Sequence, residues 1–402
     1  MYPPRRKSTV PHLAPHIDHL GASGIREIVN LVLASDRDIA RLEVGEPGFP
    51  TPDHIVEAAV RAARSGIGYT HSAGMQALRE AIAESVERRY GTAVPFDRVI
   101  VCQGAGQGIS AVLSAVLSTG DEVLVPDPSW PNYAMLTVLH GARPVFYGLR
   151  PENGFAPDLA ELESLVTERT RVIILNSPGN PTGAVLPRDV IGKIVAFAAD
   201  RGILVISDEV YDELIFDGEP ADAAGFGTDN VVSAFSFSKT YAMTGWRVGY
   251  VIAPEWLAPT LVHVQEPLLS CISGVSQMAA IAALQGPQAP VAAMRDAYRA
   301  HRDLAVSLLE PTIPVVRPEG AFYLMIPLAP GVDSRTAALE LVEYGVAVAP
   351  GSAFGQVAAD HVRISLASGT DVLRTGIERF LTWHDVTEAG LRPAIAASTA
   401  VH

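Results

Sequence analysis

Cysteine is almost absent from this chain: Cys102 and Cys271 are the only two in 402 residues, far apart and each set among apolar neighbours. A disulfide framework is therefore excluded, each thiol is read as a small buried hydrophobe, and a cytoplasmic compartment is the expectation. Basic clusters are missing as well. Beyond Arg5-Arg6-Lys7 no run of Lys and Arg occurs, and with a net charge of −14 neither nucleic acid nor an anionic membrane surface is an expected partner. Long apolar runs are lacking too. The one charge-free stretch, Pro267 to Met294, is interrupted by Ser270, Ser273, Ser276, Gln277, Gln285 and three prolines, whereas a spanning helix needs about 20 mostly apolar residues. Met1–Val10 carries no apolar segment of the kind a secretion signal requires, and no metal site is expected. Charged residues reach only 18% against 48% hydrophobic, which excludes a disordered chain and a coiled-coil rod. At roughly 100–200 residues per domain, the length leaves room for two or three domains.

From about residue 97 to 255, short apolar runs alternate with helix-length segments. The runs are Val99–Val101, Glu122–Val125, Arg171–Leu175, Ile203–Ile206, Val231–Phe235 and Val248–Ile252, each bounded by Gly, Pro or Asp, and Gln107–Leu117 and Pro187–Asp200 read as intervening helices. This pattern predicts βα units around a mainly parallel sheet covered on both faces. Upstream, Gln76–Arg89 places Leu78, Ala81, Ile82 and Val86 on one helical stripe. Beyond about 290 the texture changes to a helix (Met294–Leu309), a strand (Phe322–Ile326), a helix (Ser334–Tyr344), strands Val346–Ala349 and Val362–Ser365, and a last helix (Asp371–Trp383). That reads as a smaller α+β domain, followed after Val386 by a fraying tail.

Chemistry-bearing residues cluster at the ends of these runs. Lys239 closes an apolar strand after Ser236-Phe237-Ser238 and is followed eight positions later by Arg247; a buried lysine loses its proton easily and becomes the nucleophile of Schiff-base chemistry, although a strand-end lysine also simply snorkels to water. Asp208, directly after Ile203–Ile206 and followed by Glu209-Val210-Tyr211, points into the crevice where open α/β sheets bind ligands. There it could hold a pyridine nitrogen protonated, with Tyr211 on the ring's phenolate oxygen, or it could be an ordinary helix cap. Asn180 stands in the turn-rich Asn176-Ser177-Pro178-Gly179-Asn180-Pro181-Thr182-Gly183, a rigid loop able to present its amide to the same crevice. Gly104-Ala105-Gly106 opens a helix after Val99–Cys102, so that backbone N–H groups can approach a phosphate; Ile109 breaks the dinucleotide-binding pattern. Trp130 and Tyr133 could stack on a flat ring. Arg363, between apolar neighbours in Val362–Leu366, suits a two-pronged grip on a carboxylate or a structural ion pair. Together these residues describe one ligand set, pyridoxal phosphate plus an amino acid.

Ser236-Phe237-Ser238-Lys239-Thr240-Tyr241 with Met243, Gly245-Trp246-Arg247 and Gly249, Asn180-Pro181 with Gly183, and Asp208-Glu209 with Tyr211 resemble the class I/II aminotransferases among the fold-type I pyridoxal-phosphate enzymes, over about residues 16–385. The resemblance implies an α/β fold-type I transferase: a large domain with a mainly parallel seven-stranded sheet between helices, at 46–290, and a smaller α+β domain at 291–386. Residues 1–45 would be an N-terminal arm and part of the small domain, and 387–402 a tail. It implies a ping-pong transfer of the amino group from an L-amino acid to a 2-oxo acid, with Lys239, Asp208 and Tyr211 catalytic and Lys239 bonding the cofactor. Ala105, Gly106, Ser236 and Arg247 would hold the phosphate, Asn180 and Tyr211 the ring oxygen, and Trp130 the ring face; Gly45, Trp130, Asn180 and Arg363 would touch substrate. Tyr69 would reach the neighbouring subunit's phosphate, making a homodimer with shared sites. Many members carry a hydroxyl in the phosphate turn where this chain reads Gly-Ala-Gly, so one contact there is expected from backbone alone. Leu20–Ile25, Trp130, Tyr133 and Phe354 are expected around the substrate side chain; being apolar or small, they favour neutral aliphatic or aromatic donors over aspartate. The rival uses of the same cofactor are a lyase, a synthase or an oxidase. A silent ligand-sensing module would lack the lysine.

Overall fold

The computed structural model of the chain describes residues 14–21, 24–219, 223–226 and 229–389. After β1 (Ala40–Arg41) come β2 (Val99–Cys102), β3 (Glu122–Asp127), β4 (Arg143–Gly148), β5 (Thr170–Asn176), β6 (Leu204–Asp208), β7 (Val231–Ser236) and β8 (Gly249–Ile252). β2 to β8 form one seven-stranded sheet in the order β2-β8-β7-β6-β5-β3-β4. β8 runs antiparallel to both of its neighbours and the other pairings are parallel. β4 is the strand that the apolar runs do not reveal. It lies at the sheet edge, opens on Arg143-Pro144, and buries only its last two residues, so it carries no continuous hydrophobic signature.

Successive residues of the sheet belong to opposite layers, as a pleated strand requires. Ile174, Ile206, Val232 and Val251 pack with Ile109, Val112 and Leu113 of the helix Ala105–Val116. Ile173, Leu175 and Val205 pack with Ile191, Ile194 and Val195 of the helix Arg188–Ala199. Toward the β2 edge, the helices Gln76–Tyr90 and Gly274–Gln285 cover Val99, Val101, Phe235 and Tyr250. With both faces covered, only the strand ends remain for function. In register, Asn176 lies beside Asp208 and Asp208 beside Ala234, so the carboxyl ends of β5, β6 and β7 form one rim.

The remaining strands are β9 (Tyr323–Pro327), β10 (Val346–Ala347), β11 (Ala349–Pro350) and β12 (His361–Ser365). The expected single strand Val346–Ala349 divides at Val348: β10 pairs in parallel with β1, whereas β11 pairs antiparallel with β12, which pairs in turn with β9. One core joins Ile28, Leu42 and Val346 to Leu341, Ile364, Ile377, Phe380 and Trp383. The last helix spans Thr370–Glu388, past Trp383 and into the expected tail, whose residues from 390 lie outside those described, as do Met1–Val10. Cys102 is buried, but Cys271 is only half-buried, with its Sγ accepting from the Thr70 N–H at 3.4 Å. Among the described residues no helix is long and apolar enough to cross a membrane.

Ile377 is 1% exposed in the core that ties the N-terminal segment to the C-terminal helix. Ile377→Ala should lower unfolding free energy by about 2–5 kcal/mol through the cavity it leaves. Chemical denaturation would measure the loss; a change below ~1 kcal/mol would contradict this packing.

Candidate active site

The rim of strand ends opens onto a cavity of about 420 Å³. Gly45, Ala105, Gly106, Trp130, Asn180, Asp208, Tyr211, Ser236, Lys239, Arg247 and Arg363 all line it. Residues separated by more than 300 positions thus meet in one place. Tyr69 lies elsewhere, with 96% of its surface exposed and no share in this cavity. Of the expected side-chain pocket, Ile25, Trp130 and Tyr133 line the cavity. Phe354 is buried behind Arg363, whose guanidinium lies 4.7 Å from its ring centre. Leu20 does not line the cavity, and 22–23 lie outside the described residues.

Lys239 stands in the short helix Phe237–Thr240, which follows β7 without a loop because Ser236 caps it, its Oγ accepting from the Ser238 N–H at 3.1 Å. Lys239 Nζ donates to the Gly45 carbonyl at 2.6 Å. Burial pulls the amine down to about 8, opposed chiefly by the carboxylate of Glu46. Asp208, last in β6, accepts from the Tyr133 hydroxyl at 2.5 Å and from the Val210 N–H at 3.3 Å. Burial raises its carboxyl to about 6 against these two hydrogen bonds and the nearby lysine. Tyr133, 1% exposed, lines the cavity and also orients Asp208 through this hydrogen bond; Trp130 meets its ring edge-on at 5.4 Å.

The opening of the helix Ala105–Val116 forms the opposite wall. Its first N–H groups have no intrahelical acceptor and carry the positive end of the helix dipole. Gly104 precedes them at φ +82°, and a Cβ there would come within 2.6 Å of Arg247 Nη2. Only glycine fits both conditions. Arg247, at the exposed side of the cavity, donates to the carbonyls of Thr244 at 2.8 Å and Gln103 at 3.3 Å. Helix start, guanidinium and the Ser236 hydroxyl together make an anion cradle.

Arg363, in β12, is 2% exposed. Its Nη1 donates to Asn180 Oδ1 at 3.0 Å and its Nη2 to the Glu43 carbonyl at 2.6 Å, while Nε is buried without a partner. An unpaired edge on a dry guanidinium is a carboxylate site by its chemistry. Asn180 follows from Asn176, whose Oδ1 accepts the Asn180 N–H at 2.8 Å and whose Nδ2 donates to the Asp208 carbonyl at 2.9 Å. The peptide bond from Asn180 to Pro181 is cis. Asn176 and Tyr323 are cavity residues that the strand-end reading passed over: Asn176 was hidden among turn-formers and Tyr323 among the apolar residues of β9. The donors present fit pyridoxal phosphate: an anion cradle, a buried carboxyl and an amine with lowered proton affinity line the same cavity.

Residues 37–380 match the family described as aminotransferase class I and II. The chain is 40% identical to the arginine–pyruvate transaminase of Pseudomonas aeruginosa, over 85% of this chain and 89% of that protein. It is 37% identical to the aspartate/prephenate aminotransferase of Thermus thermophilus, over 85% and 90%. A solved variant of the Thermus thermophilus aspartate aminotransferase superposes with a TM-score of 0.89 at 34% identity, covering 93% of this chain and all of the other.

An amine titrating near 8 is mostly free by pH 9. Covalent uptake of pyridoxal phosphate by cofactor-free protein, followed by visible absorbance, should accelerate roughly tenfold from pH 7 to 9 and then level off. Uptake still climbing at pH 10 would return Lys239 to ordinary lysine behaviour.

Proposed function

The chain belongs to the class I and II aminotransferases and is a pyridoxal-phosphate-dependent transaminase of ping-pong type; we propose that its donors are neutral, aliphatic or aromatic L-amino acids and that the cavity residues divide the work as follows. Ala105, Gly106, Ser236 and Arg247 hold the phosphate. Asp208 faces the ring nitrogen, Asn180 and Tyr211 the ring oxygen, Trp130 the ring face. Bound there, pyridoxal phosphate supplies an aldehyde that condenses with amino groups and a protonated ring that draws electrons from the donor's Cα.

The chain's own groups do the rest. Arg363 takes the donor's α-carboxylate on its unpaired Nε edge, which fixes the Cα–H bond relative to Lys239. Lys239 Nζ, its proton affinity lowered by burial, would carry the Cα proton to the cofactor's C4′ and carry one back in the reverse half-reaction. Gly45, whose carbonyl accepts from Lys239 Nζ, closes over the substrate. Tyr69 is 96% exposed and so is free to reach a second copy, which supports the reading of a homodimer with shared sites. The smaller unit is assigned to 291–386 with part of 1–45, as their common core favours, and the larger to 46–290. The compartment is read as cytoplasmic.

The observation that carries the donor preference is a charge inventory. Among the described residues lining the cavity, Lys239, Arg247 and Arg363 are the cations, and each already has a task. Among this chain's described lining residues no further cation is left for a second carboxylate, and Glu46 adds a negative charge. A second reading, dicarboxylate donors, draws on the naming of the Thermus relatives. A donor panel in single-turnover absorbance separates the two: leucine- and phenylalanine-type donors should exceed aspartate by roughly tenfold or more in kcat/KM, and a preference for aspartate would reverse the assignment.

Arg363→Lys keeps the charge but loses the fork. It should cost about 1.5–3 kcal/mol, roughly 10- to 150-fold in kcat/KM, for every donor alike. Selective damage to acidic donors alone would make Arg363 a side-chain selector and move the α-carboxylate grip elsewhere.

A further inference from the structure

One buried phenol in the cavity has no part in these assignments. Tyr323 of β9 is 1% exposed, and its hydroxyl lies 2.8 Å from that of Tyr211. The two rings meet edge-on at 5.7 Å. Its own ring face carries the guanidinium of Arg363 at 4.4 Å from the centre. The strand register explains this contact: Arg363 pairs with Met325 and Ser365 with Tyr323, which makes Tyr323 and Arg363 diagonal neighbours on one face of the sheet. A Cβ on Gly45 would come within 2.3 Å of the Tyr323 hydroxyl. Tyr323 therefore touches the three elements that hold cofactor oxygen, α-carboxylate and covering loop.

A phenol has one proton to give. Once Tyr211 donates to the ring oxygen of the cofactor, it must accept at its contact with Tyr323, so the proton in that contact belongs to Tyr323. We infer, resting on the roles given above to Tyr211 and Arg363, that Tyr323 is a positioning residue with two separable tasks: its hydroxyl commits the Tyr211 proton to the ring oxygen and strengthens that donation, and its ring sets the plane of Arg363. Desolvation raises the proton affinity of both phenols, which keeps the pair neutral and donating. The charged groups facing Tyr211 and Lys239 are Arg363, Asp208, Arg247 and Glu46, and none of them is altered by removing one hydroxyl.

The test uses enzyme loaded with pyridoxal phosphate and four variants: Tyr323→Phe, Tyr323→Leu, Tyr211→Phe and the double Tyr211→Phe/Tyr323→Phe. The pH midpoint of the cofactor's visible absorption reads the hydroxyl, and the split between KM and kcat reads the ring. Tyr323→Phe keeps the ring and its packing. It should raise the midpoint by roughly 0.3–0.7 unit, since a weaker donor stabilises the ring oxyanion less, and leave donor KM within about twofold. Tyr211→Phe should raise it further, and the double variant no further than Tyr211→Phe alone. Tyr323→Leu should raise KM roughly 3- to 30-fold for every donor. An unmoved midpoint in Tyr323→Phe beside a moved one in Tyr211→Phe overturns the hydroxyl's role while leaving the site assignment intact, as does a shift that persists undiminished in the Tyr211→Phe background. An unchanged KM in Tyr323→Leu overturns the ring's role. A midpoint that Tyr211→Phe itself does not move removes Tyr211 from the ring oxygen, and this inference with it.

Discussion

A guanidinium with almost no water around it has to be satisfied by protein, and the two halves of this cavity are arranged around that need. Arg363 projects from β12, yet its partners come from everywhere else: the Glu43 carbonyl from the N-terminal segment, Asn180 from the loop after β5, and the ring faces of Tyr323 and Phe354. Removing a charge from water costs several kcal/mol, and that penalty is offset only when hydrogen bonds and ring contacts are in place together. The cation thus couples the three-stranded sheet to the seven-stranded one through Asn180. Its Nε alone is left without a protein partner.

The same dryness tunes the neighbouring groups in opposite directions. Asp208 is raised to about 6 and Lys239 lowered to about 8 because burial disfavours whichever form is charged. A carboxyl held in reserve for a ring nitrogen and an amine able to shed its proton near neutrality are both useful to carbanion chemistry. They arise from one cause, a cavity walled by a covered sheet. The hydrogen bond from Tyr133 then decides which way Asp208 faces, and the carbonyl of Gly45 decides where Lys239 rests.

The covered sheet also accounts for what was legible in the chain. Continuous runs such as Ile203–Ile206 and Val231–Phe235 announce buried parallel strands, and chemistry-bearing residues directly after them announce the rim. Lys239, Asp208 and Asn180 were found that way, Arg247 from its place eight positions after Lys239 and Arg363 from its apolar neighbours within a strand, and all line the cavity. β4 escaped because an edge strand with four exposed or half-buried residues has no run to show. Val346–Ala349 read as one strand because its residues are uniformly apolar; the division at Val348 reflects two different partners, β1 and β12, which pattern alone does not reveal. Tyr133 was legible as a pocket residue, but its hydrogen bond to Asp208 was not, because the two are 75 positions apart in sequence.

By itself, then, the sequence determined the strand-and-helix alternation, the residue types at each strand end and their order, since hydrophobic runs and turn-formers act over a few neighbouring positions. Only the tertiary structure decided which of those ends share a rim, that Asn176 and Tyr323 belong to the site, that Tyr69 does not line this cavity, and how far Lys239 and Asp208 depart from ordinary titration. These depend on register between strands dozens of residues apart and on the exclusion of water from a space that no single segment encloses.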